Sequence, residues 1–314
     1  MSELRSYSAA DIATMVPMAH AIDALRECFA HRPSHIARSA HHAAGGEFML
    51  MPAVADGVAG VKLLMIQPNN AGLGEPVIQG TYVLFDAARG RPVALLDGAA
   101  LTNIRTPAAS AVATAALARR NVRTLGIVGA GPQAIGHVEA MLCVRPELDQ
   151  IAVASRTRAN ADAVAARIAA HPVWGGERSI RSCAFAEAAA CDVVCVATRS
   201  STPVVVGDMV VAGAHVNAVG SYCTDMRELG SDLVAASTVV VDDVDAAHDE
   251  AGDLALAVDD GAWTWDRLAG DLADVAAGRL SRRTGSEITL FKSVGLAVED
   301  LVIARLVAAA DDLL

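Results

Sequence analysis

The chain has 314 residues, a formal net charge of −11 and 53% hydrophobic residues, with aromatics at only 4%. Such a length suits two domains sharing an interface better than one core, and the apolar content argues against disorder. The acidic balance, the lack of a basic run and the scarcity of aromatics exclude nucleic acid and anionic membranes as expected partners, while an anionic cofactor is still admitted because phosphates respond to local donors.

Met1 to Tyr7 lack the apolar segment of a secretory leader, and no stretch has about 18 uninterrupted apolar residues for a membrane span. Six cysteines, at 28, 143, 183, 191, 195 and 223, form no C-x-x-C pair. Reduced thiols in the cytoplasm are therefore expected, with no zinc or other metal.

Residues 8–30 read as an amphipathic helix region capped by Ser8 and Asp11. The pattern then alternates. His35 to Ala43, Gly45-Gly46 and Glu47 to Ala53 read as a hairpin with a glycine turn. Gly60 to Ile66 is a further strand. Thr81 to Asp86, Ala88-Arg89-Gly90 and Pro92 to Asp97 form another hairpin, and a helix follows at about 103–119. From Arg123 strands and helices alternate: strand Thr124–Val128, helix Pro132–Cys143, strand Ile151–Ala154, helix Ala159–Ala169, then strands Asp192–Ala197, His215–Val219 and Thr238–Asp242. Short apolar strands interleaved with helices indicate a parallel sheet. After about 286 the chain reads as strand, turn and final helix Val298–Leu313. The fold class expected is α/β, a Rossmann-type doubly wound parallel sheet in 119–295 plus a strand-rich α+β lobe in 1–118, joined by the C-terminal helix of 296–314.

Gly129-Ala130-Gly131-Pro132-Gln133-Ala134 lies between a predicted strand and a predicted helix, the context of a G-x-G-x-x-A dinucleotide fingerprint. Gly129 permits the tight turn, Gly131 lets backbone approach a pyrophosphate, and Ala134 is small enough for helix–strand packing. Pro132 suits the first helical position, where free N–H groups and the dipole favour phosphate. At the end of the second strand an NAD enzyme usually places a carboxylate for the ribose 2′-OH. Ser155-Arg156-Thr157-Arg158 stands there instead, which favours the 2′-phosphate of NADP(H); NAD(H) is the second choice.

An ordered set of segments resembles the ornithine cyclodeaminase/mu-crystallin family over nearly the whole chain. It comprises Met51-Pro52-Ala53, Gly60-Val61-Lys62, Pro68-Asn69-Asn70, Asp86 to Pro92, Leu101 to Thr106, Gly129 to Ala134, Val219-Gly220-Ser221 with Glu228-Leu229, and Phe291-Lys292-Ser293-Val294-Gly295. The resemblance implies a homodimer, a first lobe that pairs subunits and carries the substrate pocket, and a Rossmann lobe for the cofactor. Arg38, Lys62 and Arg105 match the family's substrate-carboxylate and catalytic cations. Arg38 and Lys62 lie in strand-like apolar segments, where an unpaired cation is costly, and Arg105 is placed at a helix opening. Two arginines can clamp a carboxylate, and a lysine can polarise an imine. His41 and His42 point to opposite faces of a strand and read as structural.

Thr198 and Ser221 fall at carboxyl ends of parallel strands, where open α/β sheets place ligands. Lys292 and Ser293 resemble family residues near the nicotinamide. One departure bears on chemistry. Cyclodeaminases of this family carry an aspartate just after the Val-Gly-Gly turn, where this chain has Tyr222, a candidate proton donor or equally a pocket wall, with Asp225 three residues on as the candidate catalytic carboxylate if the loop is reshaped. A phenol is a poor base at pH 7. The expected activity is therefore NADP(H)-dependent reduction of the C=N bond of a small, carboxylate-bearing cyclic imino acid, such as pyrroline-2-carboxylate to proline. Ornithine cyclodeamination with NAD, alanine dehydrogenase-like deamination and cofactor-gated small-molecule binding are the rivals.

Overall fold

Alternation of apolar and polar residues sets the first unit, and continuous apolar strands set the second. The structure, a computed structural model, describes residues 4–172, 175 and 178–314. The chain divides into two units. One holds the described residues up to Cys28, Arg32–Thr106 and Leu296–Leu314; the other holds Phe29–His31 and Pro107–Gly295.

In the first unit β1 is Arg5–Tyr7, α1 is Ala9–Met15 and α2 is Met18–Ala30. The single helical region expected over 8–30 is thus two helices. Pro17 has no N–H to donate and disfavours helical backbone at Val16, which sits at φ −121°, ψ 86°. Ser8 and Asp11 form the N-terminal capping box as expected. β2 (Ser39–Ala43), β3 (Gly46–Ala55), β4 (Val58–Ile66), β5 (Ile78–Asp86) and β6 (Arg91–Asp97) complete a six-stranded sheet in the order β1-β6-β5-β4-β3-β2.

The first hairpin turn is Ala44-Gly45, at φ +52° and +78°, with Gly46 already paired to Ala43, one residue earlier than expected. A second turn, Asp56-Gly57, joins β3 to β4 with both residues at positive φ. That Asp-Gly pair is a direct hairpin signal.

One face of the sheet carries Met49, Met51, Ala53, Lys62, Leu64, Tyr82 and Leu84, all buried. The C-terminal helix Ala297–Ala310 packs on β3, β4 and β5, and its first eight residues are buried on every side. The opposite face carries Phe48, Leu50, Pro52, Val61, Leu63, Met65, Val83 and Phe85, all part-exposed, and Val54, 59% exposed. Met49 and Met51 are therefore core residues, and Met65 belongs to the other face. His41 and His42 lie exposed on the edge strand β2.

α3 runs over Gly98–Leu117, earlier than the expected 103–119, with Asp97 accepting from the Ala100 N–H at its start. Arg105 is thus inside the helix, not at its opening, and gains nothing from the terminal dipole. The units divide at Thr106/Pro107 rather than at 118/119, because the later turns of α3 bond into the second unit. Ser110 meets His137 at 3.2 Å, and Thr114 accepts from Asn217 at 3.0 Å.

The second unit is an eight-stranded, all-parallel sheet. Its strands are β7 (Thr124–Val128), β8 (Gln150–Ala154), β9 (Ser179–Cys183), β10 (Val193–Val196), β11 (His215–Ala218), β12 (Ser237–Val241), β13 (Gly270–Asp271) and β14 (Ile288–Lys292). Their order is β13-β12-β14-β11-β10-β7-β8-β9. The chain leaves β7 towards β8 and β9 and returns to β10 on the other side, so the topological switch point lies between β7 and β10. α4 (Gln133–Val144) and α5 (Arg158–Ala169) follow β7 and β8. No described helix is long and apolar enough to cross a membrane, and all six cysteines are free.

Candidate active site

Of the 25 lysines and arginines, only Lys62 and Lys292 are lysine. Long charged side chains normally keep their heads in water. Here both lysines are buried, at 1% and 0% exposure. Each faces a buried carboxylate, one in each unit.

In the first unit the two-residue period of β4 turns Lys62 toward the C-terminal helix. Its Nζ donates to Asp300 Oδ2 at 2.5 Å and to Thr102 Oγ1, on α3, at 3.1 Å. Arg105, one turn along α3, donates from Nη1 to Glu299 Oε2 at 2.8 Å, and its Nε lies 3.7 Å from Asp300 Oδ1. Two cations and two carboxylates thus share one dry cluster, with the acids in the first turn of the C-terminal helix, where the dipole favours negative charge. Burial pushes the Lys62 ammonium down to about 8; the Asp300 charge opposes that shift and Arg105 adds to it. Tyr82 stands opposite Lys62 across the strand pair, fully buried, and its ring lies over Gly60, where a Cβ would come within 2.3 Å of the hydroxyl. Burial, then the charge of Asp300, raises its phenol. Arg38 is not within a strand. It precedes β2, half-buried, with Nη1 4.0 Å from Met49 Sδ.

In the second unit the turn after β7 has the geometry its glycines foretell. Gly129 takes φ +122°, and a Cβ there would sit 2.5 Å from the Ala197 carbonyl after β10. That contact is the switch point itself. A Cβ on Gly131 would meet nothing within 4 Å, so the backbone there faces open space, as an approaching pyrophosphate requires. Pro132 is at the cap position with helical φ −56°, Gln133 begins α4, and Ala134 is 2% exposed against the strand. These residues fit a dinucleotide. After β8, Ser155 is half-buried, and Arg156, Thr157 and Arg158 are exposed. Arg158 is drawn to Asp162 at 3.1 Å, whereas Arg156, among the described residues, has no carboxylate in ion-pair contact. The turn itself holds no acid.

The loop after β11 is held by a second buried network. Lys292 donates to the Ser221 carbonyl at 2.5 Å and hydroxyl at 2.8 Å, and lies 3.1 Å from Asp253 Oδ2. Asp253 also accepts from Ser221 Oγ at 2.6 Å and from the N–H groups of Glu228 and Leu229 at 2.6 and 2.9 Å. Glu228 accepts from Thr198 N and Oγ1, at 2.5 and 2.8 Å, and from Gly220 N and Ser221 N, at 2.6 and 3.1 Å. Burial and the neighbouring Asp253 charge push Glu228 up to about 7. Gly220 is required, since a Cβ would lie 1.9 Å from the Thr198 carbonyl. Ser293 Oγ donates to Asp242 at 2.8 Å, as do the N–H groups of Val294 and Gly295. Thr198, Ser221, Lys292 and Ser293 therefore bond inward and brace the strand ends. Tyr222 emerges half-buried from the braced loop, and Asp225 is exposed in the same loop.

Asp300, Glu299, Tyr82, Asp253 and Asp242 were not singled out from sequence. Two signals were available for part of this set. Glu299-Asp300 interrupt the apolar run Leu296 to Ala304, a position the helix buries, and two lysines in a chain otherwise served by arginine mark places where a compact, titratable ammonium is wanted.

Comparison with known proteins agrees with this geometry. The ornithine cyclodeaminase/mu-crystallin family model matches residues 5–311. A Delta(1)-pyrroline-2-carboxylate reductase of Bacillus thuringiensis subsp. konkukian is 38% identical over 261 residues, 82% of this chain and 79% of that protein. Among solved structures, the Delta(1)-pyrroline-2-carboxylate reductase of Thermococcus litoralis, in complex with NADH and L-proline, superposes with TM-score 0.92 at 31% identity, covering 98% of this chain and 97% of that one. An archaeal alanine dehydrogenase dimer with bound NAD gives TM-score 0.90 at 27% identity, covering 98% and 97%. The chain belongs to the ornithine cyclodeaminase/mu-crystallin family of NAD(P)-dependent reductases and cyclodeaminases.

Proposed function

We propose that this chain reduces the C=N bond of a small cyclic imino acid with NADPH, pyrroline-2-carboxylate to proline being the first reaction to test. The buried Lys62 ammonium, held between Asp300 and Thr102 beside Arg105, carries the proposal. It is a fixed proton donor in a dry site rich in cations. Similarity to proteins named as pyrroline-2-carboxylate reductases supports it.

The nicotinamide, when bound, supplies hydride to the imine carbon. Arg38 and Arg105 hold the substrate carboxylate, with Glu299 fixing the Arg105 guanidinium. Lys62 donates its proton to the imine nitrogen, so the C=N bond becomes a C–N bond and the ring nitrogen a secondary amine. Solvent protons restore the ammonium. Gly129, Gly131, Pro132, Gln133 and Ala134 cradle the pyrophosphate. Steady-state NADPH consumption with pyrroline-2-carboxylate tests this directly: one proline per NADPH is expected, and no turnover with either five- or six-membered rings ends the proposal.

NADP(H) is the proposed cofactor, with Ser155, Arg156, Thr157 and Arg158 around the 2′-phosphate. NADPH should bind at least about tenfold tighter than NADH, about 1.4 kcal/mol, and Arg156→Ala should erase most of that difference. Equal affinities in the unmodified protein, read by nicotinamide fluorescence, would remove this assignment.

A twofold homodimer is also proposed, through the outer face of the six-stranded sheet. Its band of Leu50, Pro52, Val61, Leu63 and Val83, part-exposed, with Val54 exposed, is a contiguous apolar face of the kind that marks an interaction surface. Light scattering should give twice the 32.3 kDa chain mass, and Val61→Asp should give one chain mass. A monomer for the unmodified protein at micromolar concentration contradicts the dimer.

A further inference from the structure

In the chemistry given above Asp300 neither binds substrate nor moves a proton, yet it faces both cations of the buried cluster, Lys62 and Arg105. Oδ2 takes the Lys62 ammonium at 2.5 Å, and Oδ1 lies 3.7 Å from Arg105 Nε with no hydrogen-bond donor of its own. Asp300 is 0% exposed and Lys62 1% exposed. An ammonium in such a place is costly unless paired and hydrogen-bonded.

Four of the segments around Lys62 contribute charged or titratable groups, while β3 places Met51 opposite it. The C-terminal helix brings Asp300 and Glu299, α3 brings Arg105, β5 brings Tyr82, and the segment before β2 brings Arg38. Arg105 and Arg38 both disfavour a second positive charge, Glu299 is engaged with Arg105, and Tyr82 is a neutral phenol. Asp300 is the carboxylate that accepts directly from the ammonium.

We infer that Asp300 is a positioning residue: it holds Lys62 charged and aimed, so that the ammonium is a ready proton donor beside the substrate carboxylate site. Removing its charge leaves Lys62 buried between two arginines, where the neutral amine is the stable form and has no proton to give. Moving the carboxylate by one methylene keeps the charge but displaces the ammonium. The role in catalysis rests on the proposed imine reduction; the effect on Lys62 does not.

The composition supplies the test. Protein grown on [ε-13C]lysine carries only two labelled side chains, Lys62 and Lys292, and Lys62→Arg identifies each signal. In the native protein the Lys62 signal should titrate near pH 8. In Asp300→Asn its midpoint should fall by at least about one pH unit, and the alkaline limb of kcat/KM should move down with it. Asp300→Glu should keep the midpoint and lose at least about threefold in kcat, consistent with a displaced ammonium. An unmoved Lys62 midpoint in Asp300→Asn overturns the inference. If that variant does not fold, native kcat in Asp300→Glu overturns it equally. A native protein that reduces no cyclic imine defeats the proposed function, and the lysine titration still decides the role of Asp300.

Discussion

Lys62→Ala is expected to lower kcat/KM for imine reduction at least about a hundredfold, or about 2.7 kcal/mol. The size follows from what the ammonium does. In the proposed reaction it protonates the ring nitrogen, and it would do so from a buried site where a fixed charge counts for more than in solvent. The substitution also strips Asp300 of its partner, so loss of stability must be separated from loss of chemistry. Nicotinamide binding supplies that control, because the dinucleotide turn at Gly129–Ala134 lies in the other unit. A variant that binds NADPH normally and has lost its turnover fits a proton donor. A variant with nearly native kcat/KM removes Lys62 from the mechanism. Tyr222→Phe should cost much less if the half-buried phenol is only a wall, and comparably if it shares the proton donation.

Asp253→Ala is expected to destabilise the second unit by about 3–5 kcal/mol, lowering its unfolding midpoint by about 10 °C. The carboxylate is buried and accepts from the Ser221 hydroxyl and from two backbone N–H groups, besides facing Lys292. Its removal leaves an uncompensated ammonium and three donors, the Ser221 hydroxyl and two backbone N–H groups, without this acceptor in a dry place. Calorimetry of the purified variant measures this. A midpoint within about 1 °C of native would mean the network is not stabilising. The same variant should bind NADPH more weakly, because Gly220 and Thr198, tied through Glu228, are braced by this carboxylate.

Much of the fold was legible because the signals were local. The glycine turn at 129–134, the apolar strands of the parallel sheet and the first hairpin follow from period and turn chemistry. Boundaries moved where one residue intervened, as at Pro17, which splits the first helical region, and at Ala44, which takes a left-handed conformation despite its Cβ. β13, of two residues, and the short helix at 185–189 offer too few residues for a period to register.

The candidate site was legible by halves. Lys62 and Arg105 could be named from motif resemblance, but their partners lie 238 and 194 residues away in sequence. No local pattern links groups so far apart; only the packing of the C-terminal helix on the sheet does. For the same reason the carboxylate partners of Lys292 and Ser293, Asp253 and Asp242, could not be read from the local motif.

The departure at Tyr222 makes one comparison decisive. The same preparation should be given pyrroline-2-carboxylate with NADPH and, separately, ornithine with NAD, with proline measured in both and ammonia in the second. Imine reduction predicts proline formed at the rate of NADPH consumption in the first reaction and little or no ammonia in the second. Rapid release of ammonia and proline from ornithine would contradict it and make Asp225 the next residue to replace.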